Sequence, residues 1–468
     1  MSRPIFVSLP TPVPTLLTLV TFLTMLGNAS AADVTIVPFD GSPIPIGAGA
    51  RALGMGGAFT AVADDATANT WNPAGMAQLE RPELSINGGW YSRSTTPEGG
   101  SADHQSALAL DHVSVVWPFF VLGTQQTVGV AWQRQFDFTR QADSTQVLQS
   151  QGQTTATQGV SNNQVNNEGA WSAWSMSYAA DLTPTLSLGG TLLVWNDNLT
   201  GYSHNDRHAI SSGTLTTFNV GAQPTLISDE TFVASQNQRI TVERGLSVVL
   251  GALWHVAPQW TIAATLKPRY DLDLSIHKKD ERIFRDAGTG TITTQQSSDT
   301  TRGATYTYPT SATVATAWRP NDSQTITVDL TWTRWREFTI DDGTSSTSPI
   351  SPFVPPSAFD DGYALRIGYE HVLLLPRVVL VPRCGLLYEG LPGVTAAPDN
   401  AHAELVNAQV DRYWGATAGL SVFQRTILYD AAVQLRYGHN VGAGIDAPFD
   451  ATAEVLGVTV RAGFTYHF

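Results

Sequence analysis

From Arg81 to the C-terminus this sequence repeats one unit: two segments of period-two alternation meet at a very short turn, and a long polar stretch follows. In Ser172–Asn198, Trp174, Met176, Tyr178, Ala180 and Leu182 alternate with Ser, Ala and Asp; Thr183-Pro184 makes the turn, and Leu186, Leu188, Gly190, Leu192 and Val194 resume. Such alternation puts one set of side chains on each face of a sheet. The unit recurs at Ile240–Val256 with Trp260–Leu274, at Ala304–Trp318 with Gln324–Phe338, at Gly362–Leu375 with Arg377–Glu389, and at Asp411–Val422 with Thr426–Gly438. Pro82–Tyr91, Gln105–Pro118 and Gln126–Arg140 read as earlier strands and Glu454–Phe468 as the last, about fourteen in all.

The connections constrain the fold more than the strands do. Long links around 92–104, 141–169, 199–239, 275–303, 339–361, 390–410 and 439–453 take strict turns with short ones. An up-and-down transmembrane barrel has that asymmetry, with tight periplasmic turns at one rim and long outer loops at the other. No stretch of the mature chain resembles a membrane-spanning helix, and a bilayer protein without helices must close its sheet, because hydrocarbon cannot satisfy an open edge. Composition agrees: charged residues are only 14%, with Thr, Ser, Gln, Asn and Gly in their place, as a lipid-facing wall and neutral loops require. The 26 Lys+Arg against 40 Asp+Glu exclude a nucleic-acid partner, which needs a basic face. The long links, rich in Gln, Thr, Ser and Asn, read as solvated loops.

Residues 1–31 read as a secretory signal: Arg3, an apolar run Val13–Gly27, and a small-x-small site Ala29-Ser30-Ala31. The run is too short to span a membrane comfortably. In the last strand Val458, Val460, Ala462, Phe464, Tyr466 and Phe468 form an apolar face, and Thr459, Arg461, Gly463, Thr465 and His467 a polar one. The terminal Phe468 resembles the signature by which barrel-assembly machinery recognises outer-membrane proteins. Trp90-Tyr91, Trp117, Trp171, Trp174, Tyr306, Tyr308, Trp332 and Trp335 sit near strand ends, either as interfacial belts or as core packing. The lone Cys384 allows no internal disulfide.

Residues 32–80 differ from the rest. Gly47–Phe59 is small and Gly-rich, but no strand precedes it to make a dinucleotide loop. Asp64-Asp65 suit helix capping or backbone hydrogen bonds better than paired catalysis, and Asn72-Pro73 should end a short helix, since proline disfavours α geometry before it. Arg51-Ala52-Leu53-Gly54-Met55-Gly56-Gly57-Ala58, Ala63-Asp64-Asp65-Ala66 and Asn72-Pro73-Ala74-Gly75 resemble the N-terminal motif of the FadL/TodX-type outer-membrane transport family. The likeness extends through Tyr308-Pro309, Arg334–Phe338, Gly362–Pro392 and the terminal strand.

The resemblance implies a fourteen-stranded barrel over 81–468 with residues 32–80 folded into its lumen as a hatch of short helices. It implies a bacterial outer-membrane transporter of hydrophobic small molecules, long-chain fatty acids or other apolar compounds, caught at the outer loops and released sideways past the hatch. Asn72, Pro73, Ala74 and Gly75 match the hatch motif. Met55, Phe59, Val62, Trp71 and Met76 are candidate pocket residues or hatch packing, and Arg51 pairs with a lumenal carboxylate or meets a headgroup. Ligand, outer-membrane lipid and assembly machinery are the expected partners; no cofactor or metal is expected. No nucleophile motif, metal spacing or phosphate loop is present, which argues against an enzyme. A secretion-associated or structural barrel binding a protein, and a general porin, are the alternatives.

Overall fold

Closure of the sheet is visible in one pairing: the last strand lies antiparallel beside the first, in unbroken register from Glu83↔His467 to Pro97↔Ala453. The computed structural model describes residues 42–97, 102–121, 123–151, 154–220, 224–350, 355–392, 411–441 and 453–468. The expected signal peptide lies outside them, as does most of the links 390–410 and 439–453.

In chain order the strands are β1 Glu83–Pro97, β2 Asp103–Val121, β3 Thr124–Asp137, β4 Arg140–Gln151, β5 Thr155–Thr183, β6 Leu186–Trp195 and β7 His204–Asn219. Then come β8 Thr225–Ala257, β9 Trp260–Lys267, β10 Tyr270–Asp286, β11 Ile292–Tyr308, β12 Ser311–Asn321, β13 Gln324–Thr333 and β14 Thr339–Asp341. The rest are β15 Ser346–Thr347, β16 Gly362–His371, β17 Leu373–Leu374, β18 Val379–Gly390, β19 Arg412–Gln424, β20 Ile427–Val441 and β21 Ala453–His467. Fourteen form a closed antiparallel ring: β1-β2-β3-β5-β6-β8-β9-β12-β13-β16-β18-β19-β20-β21 and back to β1.

Alternation sets what each face meets. In β9, Trp260, Ile262 and Leu266 are exposed on the outside, while Thr261, Ala263 and Thr265 are buried toward the lumen. Trp117, Trp254, Trp260 and Trp318 point outward near the short turns and Trp90, Trp174 and Trp414 near the other rim, the two aromatic belts of a membrane barrel. Trp171, Tyr306, Tyr308 and Trp335 are instead buried together in the core. The sequence pattern had left both roles open, and the residues divide between them.

Three of the expected loops are sheet. A transmembrane strand needs about 9–11 residues, yet β5 has 29 and β8 has 33. Their outer halves pair with β4, β7 and β10, and β10 pairs in turn with β11, so 141–169, 199–239 and 275–303 continue the sheet beyond the wall in the order β4-β5-β7-β8-β10-β11. Threonine favours strands, and pairing satisfies amides that a loop would leave to water. Polar composition hid this, because most side chains on both faces of these strands are polar and little alternation is left to read.

Three expected strands are also broken or cut short. Trp260–Leu274 is not one strand: β9 stops at Lys267, before Pro268, and Ala304–Trp318 breaks at Pro309. Proline lacks the N–H a ladder needs. Below the break Lys267 pairs with Ser311 and closes the wall; above it Tyr270 pairs with Tyr308 and the β10–β11 hairpin pairs with β8 instead. The expected strand to Phe338 ends at Thr333 and gives way to a 3-10 turn at Trp335–Glu337.

Candidate functional site

Residues 42–80 touch wall strands on every side of the ring, so the lumen encloses them. Helix α1 (Ala50–Gly54) turns sharply through Gly56 and Gly57, at φ 68° and 77°, and the chain then reaches α2 (Ala68–Trp71) and a 3-10 turn at Pro73–Gln78. Asn72, extended at φ −150°, ends α2 ahead of Pro73 as the sequence implied. Little of this segment is regular, so its backbone groups need outside partners. Wall side chains supply them: Thr327 donates to Ala58 O (2.8 Å), Thr417 to Gly54 O (2.9 Å), Thr191 to Asn69 O (2.9 Å) and Ser114 to Ala66 O (2.9 Å). Asp329 accepts from the Phe59 and Thr60 amides at 3.2 and 3.0 Å.

Glycines in the wall give the segment its seats. Gly189 on β6 faces Gly251 on β8 in register. A Cβ on Gly251 would lie 2.1 Å from Asn72 Oδ1, and one on Gly189 2.4 Å from the Pro73 carbonyl carbon. Asn72 donates through the notch to Ala252 O (3.2 Å) and inward to Thr60 O (2.9 Å). Gly368 and Gly385, also paired, make a second notch against Met55 and Gly56.

Two ion-pair groups tie the segment down. Arg51 pairs with Asp64, with Asp65 at 3.6 Å, and with wall residue Glu370 at 3.1 Å, while Arg383 bonds the same Glu370 carboxylate at 2.5 Å. Burial works against the Arg51 charge, but Asp64, Glu370 and Asp65 outweigh it and hold the guanidinium well above its ordinary pKa. Across the lumen, Arg461 reaches Ile46 O and Gly49 O, both at 3.4 Å, and is anchored by Asp111 at 3.3 Å.

Above this segment lies a cavity of about 410 Å³. Trp71, Gly57 and Thr60 line it from below and Tyr270, Tyr308 and Trp335 from the outer core, with Ile44 and Ile46 at the side. Tyr270 and Tyr308 stand nearly parallel at 5.1 Å and 7°, with Trp195 stacked on Tyr270 and Phe136 on Tyr308. Trp71 is fixed by its Nε1–H to Ala48 O at 2.8 Å and an edge contact with Phe59 at 6.2 Å.

Of the residues marked in the sequence, Trp71 lines this cavity. Met55, Phe59, Val62 and Met76 pack together beneath it, each at most 1% exposed. Arg51 is engaged by its carboxylates, and Asn72 to Gly75 sit in and beside the glycine notch on β6 and β8. Sequence reasoning missed Lys267, Tyr270 and Arg366 as cavity residues. A signal for Lys267 existed: it shares the inward phase of Thr261, Ala263 and Thr265 and stands just before a proline.

Comparison with known proteins adds a family. A family model described as outer membrane protein transport protein (OMPP1/FadL/TodX) matches residues 46–468. Among solved structures, the CymD monoaromatic hydrocarbon channel is 13% identical, with a TM-score of 0.52 over 90% of this chain and 98% of that one. A Pseudomonas aeruginosa FadL homologue gives 12%, 0.52, 89% and 97%. The Pseudomonas putida toluene transporter TodX gives 12%, 0.51, 90% and 98%. Identities this low speak for the fold. No curated protein sequence matches the chain.

Proposed function

This chain belongs to the OMPP1/FadL/TodX family of outer-membrane channels for hydrophobic compounds, and from that premise we propose that it carries long-chain fatty acids or other apolar small molecules passively across the bacterial outer membrane. Ligands are caught on the outer side, held in the cavity between Trp71 and the Tyr270–Tyr308 pair, and released past a hatch whose described part is residues 42–80. The cavity carries this reading: it lies inside a closed ring, above a docked segment, with rings on two sides. Its volume falls in the range of about 300–1,000 Å³ usual for small-molecule sites.

The physics favours a plugged barrel over an open pore. Water in a wide channel offers an apolar solute nothing, whereas an apolar surface gains about 25 cal/mol for each Å² taken out of water. In this reading Trp71 touches ligand, while Met55, Phe59, Val62 and Met76 hold the hatch together. Arg51 and the Asn72–Gly75 motif hold it to the wall. The CymD and TodX names, a monoaromatic hydrocarbon channel and a toluene transporter, agree with an apolar cargo.

Deleting Gly47–Met76 tests the reading. The barrel should still assemble, uptake of toluene and oleate should change, and ion conductance in a planar bilayer should rise from near zero. Unchanged uptake of both compounds would refute it, and high conductance of the intact protein would favour a general pore.

A further inference from the structure

The cavity is not electrically neutral, and its sign opposes that of the chain. Five cations and three carboxylates line it, in a protein of net charge −14. Most of the cations are spoken for. Arg366 and Arg436 share Glu389 at 2.6 and 3.1 Å, and Arg461 is held by Asp111 at 3.3 Å. Lys267 differs: it has no hydrogen-bond or ion-pair partner among the described residues, and Arg366, which acts on it, carries the same sign. Beside it in register stand Ser311 and then Thr333, which also line the cavity and bond to each other through their hydroxyls at 3.2 Å. Trp335, another buried residue of the lining, turns its Nε1–H toward Gly362 and has no acceptor for it among the described residues. An enclosed ammonium without a partner is costly. A ligand that supplies the anion would remove that cost.

The rest of the lining is ring-rich, with Trp71, Tyr270, Tyr308 and Trp335 among its side chains. The faces of Tyr270 and Tyr308 are stacked on each other and on Trp195 and Phe136, so these rings offer the cavity their edges, and ring edges favour the face of a flat, ring-bearing guest. Resting on the reading of this cavity as the ligand site, we propose that its preferred cargo is an aromatic monocarboxylate, with the ring among Trp71, Tyr270 and Tyr308 and the carboxylate on Lys267. Neutral hydrocarbons of the same size would bind the rings alone. Lys267 is then the residue that sets specificity between acid and hydrocarbon.

The test uses the full-length protein in lipid nanodiscs, titrated with 1-naphthoate, naphthalene and oleate. Wild type should prefer naphthoate to naphthalene. Lys267→Gln should lower that affinity ratio by about ten-fold or more, as expected for loss of a hydrogen bond to a charged group, and Lys267→Arg should restore most of it. A ratio that Lys267→Gln leaves unmoved would overturn the inference. So would oleate binding more tightly than naphthoate with the same dependence on Lys267, since the head alone would then decide. Naphthalene bound and naphthoate refused would defeat this inference and leave the channel reading standing. Failure of wild type to bind any of the three would remove both.

Discussion

At Gly251 the absence of a side chain lets the Asn72 segment reach the wall. The glycine leaves room for Asn72 Oδ1, which a Cβ would approach to 2.1 Å. Gly251→Val should therefore cost about 1–3 kcal/mol, the usual range for overpacking, and free the Asn72 segment without breaking the β6–β8 ladder. Hydrogen exchange of the amides in 74–78 should speed up while those of β6 stay protected. Equal protection in both proteins would show that the notch does not hold the motif. Arg51→Met makes the complementary experiment. It strands Glu370, Asp64 and Asp65 with fewer partners, and breaking a buried pair costs about 3–5 kcal/mol. The variant should show a hatch that exchanges or is proteolysed faster inside an intact barrel. The sequence pointed to Arg51 and Asn72 because motif residues are local. It could not point to Gly189, Gly251, Gly368 or Gly385, since a glycine in a strand is bland until the segment that fills its notch is in place.

Among the elements, the β10–β11 hairpin is the informative one. Lys267 and Ser311 already pair beneath it, so the wall does not depend on it for closure, yet Tyr270 and Tyr308 at its base roof the cavity. Replacing Arg269–Pro309 by a short glycine-containing turn should give a barrel that still migrates as a heat-modifiable band in gel electrophoresis. Binding of apolar ligands should weaken by about ten-fold, because roughly half the ring contacts are lost. A variant that fails to assemble would mean that the hairpin is part of the wall. The wall strands were legible wherever alternation was strong, as in β9 and β21, because lipid on one side and a polar lumen on the other impose it. The outer extensions were not, because water on both faces imposes no pattern, and Thr-rich strands there look like linkers. Pro268 and Pro309 were visible, but a proline says only that a ladder is interrupted, not where the chain goes next.

For the whole molecule, the ring of fourteen strands, the enclosed segment and the cavity above it form one arrangement. The ring faces lipid with Trp, Leu, Ile and Val, and the lumen is filled by small residues, hydroxyls and paired charges. Ring, localisation and strand number followed from the order of long and short links and from one N-terminal motif. The cavity did not, since its lining comes from strands hundreds of residues apart. The most direct test of the account is a crystal structure of the intact protein soaked with bromobenzene, read by the anomalous signal of the bromine. The account predicts a peak inside the barrel, between Trp71 and the Tyr270–Tyr308 pair. Peaks confined to the lipid-facing wall, with the cavity holding only water, would contradict it.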